Sequence, residues 1–535
     1  MTRINHSLRK VILGMFMLAS CFMLQAQNQF TTKEWQDDLA FLQEKVHQDY
    51  PFLLKKITAE EFNASIDELH NAIPNMAEHE IFAGLTRIIS SFKYGHTRMG
   101  FRDSPVKLSQ LPVAMYHFSD GMYVQGVHKD YPDALGAKVV AIEGVPIEDV
   151  MKAIYPLVPS ENDQFFKAYG VLYATSPEFL HAQGVTDSLK KSIQFTLEKE
   201  GKEFRVLINA GDFMAMPLEY GYMKRTDDWL QVRDSSATPL YVKNLDKIYY
   251  YEYLPEAKTV YVRQSQIQDD PSEDIPTFYA KVFDFIENND VEKLVIDVRL
   301  NGGGNNYKNK PVVTGIIETE KINQPGKLFV IIGRRTFSAC QNLINELSNY
   351  TNAIFVGEPS SENINFYGDN REVQLPNTGI KTYLSFAWWQ DKPQWEGGPW
   401  TAPHLAVEST FAQYKNNEDP VLDAALAFED DDFIINPMNH LTNLFMSGNT
   451  VQLEADAVRL ISDPRYKFFD FEGEFNKAGY RLLEGKQLEE AIYVFTMNTQ
   501  MFADSANTWD SLAEAYWKAG DLVKATEYYN KAIEL

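Results

Sequence analysis

Two short segments of the sequence together carry the groups that acyl transfer requires. Residues 297–304 read DVRLNGGG and follow an apolar strand pattern, so three glycines present backbone N–H groups with no side chain to block approach. Residues 335–340 read RTFSAC and place Ser338 at or near the start of a helix. The free amides and the dipole there favour developing negative charge. A hydroxyl beside such a nest of amides indicates a nucleophile with an oxyanion hole.

Each feature also has a structural interpretation. A serine before a helix is usually an N-cap, and glycines after a strand usually form a turn. Their order after consecutive strands of one domain favours the functional interpretation over the structural one.

The surrounding pattern predicts the elements that would hold these segments. Between residues 259 and 428, buried-type strands alternate with helical patterns, among them the strands Leu294–Ile296, Leu328–Ile332 and Ala353–Val356. Repeated strand–helix–strand order predicts an α/β domain with parallel strands.

The chain before this domain divides into a helical and a β-rich part. Capping boxes that begin at Thr31 and Thr58 open two amphipathic helices, and a third helix ends before the sequence GHT at residues 95–97. From about residue 111 to 210, short strands and turns predict a β-rich module. This module resembles a PDZ-like domain, a fold that binds peptide ends by adding a strand.

The C-terminal part is helical and internally repetitive. The sequence GKQLEEA ending at Ala491 recurs as GDLVKA ending at Ala525, which places the two alanines 34 residues apart. This period is typical of tetratricopeptide repeats, which are stacked pairs of helices. Two repeats cannot cover their own apolar face, so we expect them to dock on the rest of the chain or on a protein partner.

The combination of these motifs resembles the tail-specific, or C-terminal processing, serine peptidases and their tricorn-core relatives. The resemblance covers the two segments above, VGE at 356–358, DPVL at 419–422 and GHT at 95–97. It implies a multidomain α/β fold: a Clp-protease/crotonase-like ββα core with a helical N-terminal domain, a PDZ-like β-rich insert and a C-terminal α-helical repeat segment. It also implies Ser338 as the nucleophile and oxyanion donors from Gly302 or Gly303 and Ala339.

The sequence departs from many members of that family at the catalytic base. Their lysine is missing from the corresponding stretch, GEPSSEN at residues 357–363, and Gln341 stands where many relatives carry glutamate. The tricorn-like branch uses a histidine instead, which the resemblance carries over to His96. Its orienting glutamate matches Glu396 best, with Glu358 as a competitor.

If His96 is the base, kcat/KM should fall on acidification with an apparent pKa near the ordinary histidine value of about 6.5, within a unit. If it is not, Lys381 or a base from another chain is the alternative.

The predicted division of the chain follows from these patterns. We predict a signal peptide over residues 1–26, the helical N-terminal domain over 27–105, the PDZ-like module over 106–215, the serine peptidase core over 216–430, a linker over 431–474 and tetratricopeptide-like repeats over 475–535. The signal peptide is predicted from a basic start, an apolar run from Val11 to Leu24 and a small residue at Ala26.

The composition and the N-terminal leader restrict the partners, the cofactors and the cellular location of the protein. A net charge of -24 argues against nucleic acid as a partner, and the two cysteines cannot supply a disulfide framework or a cysteine zinc site. No metal or organic cofactor is predicted. We expect an exported protein of the periplasm or cell envelope, which would contact the membrane only if it is processed as a lipoprotein at Cys21.

The sequence therefore predicts a serine-type endopeptidase that cleaves polypeptides through an acyl-enzyme intermediate. The alternative is a non-catalytic binding or scaffold protein that acts through its PDZ-like and tetratricopeptide parts. The missing lysine, Gln341 and the C-terminal repeats are what favour this alternative.

Overall fold

A computed structural model describes residues 29–212, 214–234, 236–429 and 433–535. The chain divides into two compact units. The first comprises Met1–Asp234 with Glu362–Pro399, and the second comprises Ser235–Ser361 with Trp400–Leu535. The predicted signal peptide and Cys21 lie outside the described residues.

The described residues form helices and strands throughout both units. In chain order the α-helices are α1 (Thr32–Asp49), α2 (Ala59–Ala72), α3 (Glu78–Ser90), α4 (Ile147–Ile154), α5 (Asp163–Tyr173), α6 (Pro177–Ala182), α7 (Ile275–Asn288), α8 (Lys310–Glu318), α9 (Ala339–Tyr350), α10 (Phe411–Lys415), α11 (Pro420–Leu426), α12 (Pro437–Met446), α13 (Thr450–Ser462), α14 (Phe471–Glu484), α15 (Leu488–Met501), α16 (Ala506–Lys518) and α17 (Leu522–Glu534). The strands are β1 (Arg98–Met99), β2 (Ser109–Gln110), β3 (Val113–Phe118), β4 (Gly121–His128), β5 (Lys138–Ile142), β6 (Val145–Pro146), β7 (Ser192–Lys199), β8 (Lys202–Asn209), β9 (Gly211–Asp212), β10 (Leu218–Glu219), β11 (Tyr222–Met223), β12 (Trp229–Gln231), β13 (Tyr249–Leu254), β14 (Thr259–Gln264), β15 (Lys293–Asp297), β16 (Leu328–Ile332), β17 (Ile354–Gly357), β18 (Phe366–Gln374), β19 (Lys381–Trp389) and β20 (Leu405–Ala406).

The first unit begins with three helices whose starts follow the predicted pattern. Thr31 and Thr58 each accept from the backbone of the third helical residue, and the glutamate there bonds back to the cap, so both capping boxes form. The helix α3 is almost entirely buried and leads into the loop that carries His96.

The remainder of the first unit is built on antiparallel strands. A seven-stranded sheet runs in the order β12-β4-β5-β7-β8, with β3 paired to β4 and β6 paired to β5. The predicted hairpin is present as β7 and β8, in register from Ser192 opposite Asn209 to Lys199 opposite Lys202. The later hairpin β18–β19 pairs with β1, directly after the His96 loop.

The second unit contains the predicted α/β domain. Its sheet runs in the order β13-β14-β15-β16-β17-β20, and every pair from β14 onward is parallel. Apolar side chains on both faces of the sheet are buried against helices, as parallel sheets require. Because the strands are parallel, the ends of β15, β16 and β17 share one edge, and the two candidate segments leave the sheet there.

The C-terminal part of the second unit is helical from residue 437 onward. Residues 431–474, predicted as a linker, contain the helices α12 and α13. Their buried Leu441 and Leu453 lie in the same apolar cluster as Phe471 and Phe475 of α14. These helices therefore share the core of the helices that follow.

Candidate active site

Ser338 occupies a strained position at the start of α9. Its backbone has φ 57° and ψ −129°, in the left-handed half of conformational space that only glycine enters without cost. Such strain costs about 1–3 kcal/mol and persists where the surrounding structure enforces it, often at functional sites. The Ser338 side chain does not make the N-cap hydrogen bond to the helix. The N-cap interpretation of this serine therefore does not account for its position.

The turn before Ser338 is fixed to the segment that follows β15. The buried Thr336 hydroxyl donates to the Val298 carbonyl (3.0 Å) and accepts from the Gly333 amide (3.0 Å). The Phe337 amide donates to the Asn301 carbonyl (3.1 Å). These bonds hold the two predicted segments together and supply the constraint that the strained serine requires.

The glycine-rich segment approaches Ser338 so closely that a side chain cannot fit. A Cβ built on Gly303 would lie 2.5 Å from the Ser338 Cβ and 2.9 Å from the Ala339 amide nitrogen, and Gly303 has φ 98°. The buried Asn301 side chain sets this approach, because its Oδ1 accepts from the Gly303 amide (2.9 Å) and its Nδ2 donates to the Gln264 carbonyl (3.0 Å). Since the Gly303 amide already has an acceptor, the Gly302 and Ala339 amides are better suited to bind an oxyanion.

The close approach gives a first testable prediction. If Ser338 is a catalytic nucleophile, Gly303→Ala should lower kcat/KM by about 100-fold or more, since the new methyl group displaces Ser338. The same change should destabilise the protein by roughly 1–3 kcal/mol. A peptide-cleavage assay and thermal unfolding would measure both. Gly302→Ala is the matched stability control, because a Cβ built there meets nothing within 4 Å. An unfolding midpoint that falls equally in both variants would contradict this account of the loop.

Two arginines form three ion pairs at the same edge of the sheet. The Arg299 guanidinium binds both Asp419 oxygens (2.8 and 3.0 Å), and its Nε donates to Asp297 (3.0 Å). Burial raises the pKa of Asp297 above its ordinary value, although the adjacent Arg299 opposes this shift. Arg334 binds both oxygens of Glu358 (2.7 Å each). Glu358, the competitor for the orienting acid, is thus held by an arginine.

Gln341 donates two hydrogen bonds through its side-chain amide. It is buried in α9, and its Nε2 donates to Asn345 Oδ1 (3.0 Å) and Thr401 Oγ1 (2.8 Å). A glutamate has no N–H group for either bond at neutral pH. This departure from the family pattern is therefore a local change of hydrogen bonding.

In the first unit, His96 lies beside a carboxylate that the sequence analysis did not select. Its Nδ1 is 3.2 Å from Oε1 of the buried Glu362. The Phe366 ring stacks on the imidazole at a centroid distance of 6.1 Å, and Asn370 donates to the His96 carbonyl (3.1 Å). Burial lowers the pKa of His96 to about 4, so the ring is neutral at neutral pH.

A second buried carboxylate, Glu161, accepts hydrogen bonds from the residues adjacent to His96 and Glu362. One of its oxygens accepts from the Gly95 amide (2.9 Å) and the other from the Asn363 amide (3.1 Å). Burial and the nearby Glu362 raise the pKa of Glu161 to about 8, whereas Lys56 lowers it. Glu161 therefore fixes the backbone on the N-terminal side of His96 and on the C-terminal side of Glu362.

The other predicted candidates lie in different surroundings. Glu396 has a side chain that is 54% exposed, and it forms an ion pair with Lys55. Lys381, the alternative base, lies 3.2 Å from Glu372, and a hydrogen bond to that carboxylate raises its pKa. A lysine held in its charged form is a poor proton acceptor at neutral pH.

The lowered pKa of His96 gives a second prediction. If His96 is the catalytic base, it must be unprotonated to act, so kcat/KM should fall only as the pH drops through about 4. This value differs from the sequence expectation near 6.5, because the sequence does not reveal that the ring is buried. A pH–rate profile over the range in which the protein stays folded would measure it. A limb near 6.5 would mean that His96 is solvated during catalysis.

Comparison with known proteins supports the fold. No protein-family model matches the chain, and no curated protein matches it. Among solved structures, mature CPAF is 13% identical with a TM-score of 0.52, over 75% of this chain and 99% of that one. Mature CPAF complexed with lactacystin is 15% identical with a TM-score of 0.50, over 72% of this chain and 95% of that one. The photosystem II D1 C-terminal processing protease is 12% identical with a TM-score of 0.33, over 70% of this chain and 93% of that one. At these identities the two CPAF structures show that the chain shares their overall fold.

Proposed function

We propose that this chain is an exported serine endopeptidase that cleaves polypeptides through an acyl-enzyme intermediate. Ser338 is the nucleophile, His96 is the general base and acid, and Glu362 orients the imidazole. The observation that carries the proposal is the strained backbone of Ser338, held by hydrogen bonds against a glycine segment at a helix start. That arrangement exposes a hydroxyl beside amides at the cost of backbone strain, and a structural serine has no need of it.

The proposed base has the properties that a Ser-His mechanism requires. A neutral imidazole can accept a proton, and the lowered pKa of His96 keeps it neutral. Since Glu362 lies beside Nδ1, we assign the proton to that nitrogen, which leaves Nε2 as the acceptor. Glu362 is preferred to Glu396 because it is buried next to the ring, where its charge stabilises the imidazolium that forms.

Two consecutive residues, Ser361 and Glu362, have contacts in different units. Ser361 donates to the Thr336 carbonyl within the second unit, through its amide (3.1 Å) and its hydroxyl (3.3 Å). The next residue along the chain, Glu362, is the partner of His96 in the first unit.

The proposed reaction proceeds in two halves. The Ser338 hydroxyl attacks the scissile carbonyl carbon as its proton passes to His96, and the Gly302 and Ala339 amides donate to the oxyanion. The imidazolium then protonates the leaving amine as the C–N bond breaks, which leaves an ester on Ser338. A water molecule gives a proton to His96 and attacks this ester. The C–O bond breaks, and the proton returns to the serine.

The remaining parts of the chain have supporting roles in this proposal. The β-rich part of the first unit acts as a PDZ-like module that holds one end of the polypeptide, and α14–α17 act as tetratricopeptide repeats that contact a protein partner. Ala491 and Ala525 are both buried, in α15 and α17. No helix among the described residues is long and apolar enough to cross a membrane.

The test of the proposal is direct detection of the acyl-enzyme. The wild-type chain is mixed with an activated ester of a short peptide, quenched in acid during turnover and analysed by intact mass and peptide mapping. We expect the acyl group on the peptide that contains Ser338, and no adduct in Ser338→Ala. A folded protein that binds polypeptide but shows no adduct and no cleavage would favour the binding or scaffold protein instead.

A further inference from the structure

Two histidines of the first unit contact each other through their imidazole rings. Both are distant from Ser338 along the chain. His79, in the first turn of α3, and His181, in α6, have ring nitrogens only 2.8 Å apart. Glu80, next to His79, has Oε1 3.9 Å from Nδ1 of His181. The three potential ligand atoms all lie within 4.8 Å of one another. We propose that His79, Glu80 and His181 bind one divalent transition metal ion, with zinc as the best match.

The donor set fits zinc by type and number. Imidazole nitrogens bind Zn²⁺ at about 2.0–2.1 Å and carboxylate oxygens at about 2.0–2.2 Å, and a fourth ligand can be water. A tetrahedral ion between His79 and His181 would separate their nitrogens to roughly 3.3 Å, a small movement for two side chains. Calcium and magnesium prefer sets made of oxygen, so two imidazoles disfavour them.

The protonation state of the pair also suits a metal. Two ring nitrogens at this distance cannot both carry a proton, so at least one of them presents a lone pair to the other. Glu80 and Glu178 are the acidic groups close to His79, and negative charge there favours a dication.

The three side chains are held on packed elements rather than on mobile ones. The second oxygen of Glu80 accepts from the Ala77 amide (2.7 Å), which fixes the carboxylate at the start of α3. Further along the same helix, Arg87 donates to Gln183 at the end of α6 (2.7 Å). The helices are therefore already joined when the metal arrives, so little ordering is required for binding.

Another group of potential ligands, His96 with Glu161 and Glu362, is a weaker candidate. Both oxygens of Glu161 accept backbone amides. A metal there would compete with these bonds at whichever Glu161 oxygen it used, whereas Oε1 of Glu80, which faces His181, is not the oxygen that caps α3. The inferred ion would tie α3 to α6, and α3 leads directly into the loop of His96. The ion would thus stabilise α3, the helix that precedes the proposed base.

Titration of the full chain with Zn²⁺ after chelator treatment tests the inference. Isothermal calorimetry should show one equivalent bound with a micromolar or lower Kd, and Co²⁺ should give the visible absorption of a four-coordinate ion. His79→Gln and His181→Gln should each weaken binding by at least the roughly 10–100-fold that loss of a supporting partner costs. Glu80→Gln should weaken it while an amide oxygen preserves the helix cap. His47→Gln, a histidine of α1 bonded to Asn63 (2.7 Å), should bind like the wild type.

Three results would overturn the inference. The first is no binding at 100-fold excess of zinc over a micromolar protein concentration. The second is unchanged affinity in both His79→Gln and His181→Gln. The third is loss of binding in His96→Ala with full binding in those two variants, which would place the ion beside Glu161 and Glu362. If the histidine variants fail to fold by circular dichroism, Glu80→Gln decides. All readouts are independent of peptidase activity.

Discussion

His96→Ala is expected to lower kcat/KM for a polypeptide substrate by about 10⁴-fold or more, and Ser338→Ala by a similar factor. A serine hydroxyl is a weak nucleophile without a base, so loss of either group stops the same step. The double variant should therefore be hardly slower than either single one. Steady-state kinetics on the three variants, with circular dichroism to verify folding, would measure this non-additivity.

Lys381→Ala provides the control for this prediction. Lys381 lies in an ion pair with Glu372 on the hairpin β18–β19, and we expect its loss to leave kcat/KM within a few-fold of the wild type. Near-normal turnover in His96→Ala together with a large loss in Lys381→Ala would reverse the assignment. The base would then be the lysine that the sequence analysis kept as an alternative.

Glu362→Gln should lower kcat/KM by roughly 10³–10⁴-fold, the loss that an acid-to-amide change causes when it removes the charge and alters the tautomer of a catalytic histidine. Glu396→Gln is the matched control. It breaks only an exposed ion pair with Lys55, and such pairs contribute about 0–1 kcal/mol. Kinetic assays at the pH optimum, with thermal unfolding of both variants, would separate a catalytic loss from a loss of stability.

The reverse pattern would restore the assignment made from the sequence. If Glu396→Gln is nearly inactive and Glu362→Gln keeps most of its activity, Glu396 is the orienting acid. Glu362 would then be a buried carboxylate that only packs beside the ring. Equal and small effects in both variants would show that the imidazole needs no carboxylate.

Local patterns were sufficient to predict the elements that hold the candidate site. The capping boxes at Thr31 and Thr58 and the parallel strands on either side of Ser338 are present as predicted. These signals arise within a few residues, through cap hydrogen bonds and hydrophobic periodicity, so the sequence displays them directly. The close approach of Gly303 to Ser338 follows from glycines after one strand and a tight turn after the next.

The parts that were missed depend on contacts between distant segments. Glu362 lies in residues 357–363, the stretch that lacks the lysine of many relatives. Nothing in the adjacent sequence indicates that the fold places Glu362 beside His96. Glu161 precedes the helix α5 by two residues, and its two backbone partners lie 66 and 202 residues away. Burial of His96, which moves its pKa, is likewise a property of the fold. His79 and His181 are 102 residues apart, so no spacing rule predicts them as a pair.

The central claim is that His96 activates Ser338, and the rate of covalent labelling by a fluorophosphonate tests it most directly. The account predicts rapid labelling that maps to Ser338 in the wild type, labelling slowed by several orders of magnitude in His96→Ala, and none in Ser338→Ala. Thermal unfolding of each variant verifies that the fold is intact. Labelling of Ser338 at the same rate in wild type and His96→Ala, or labelling at another serine, would contradict the account.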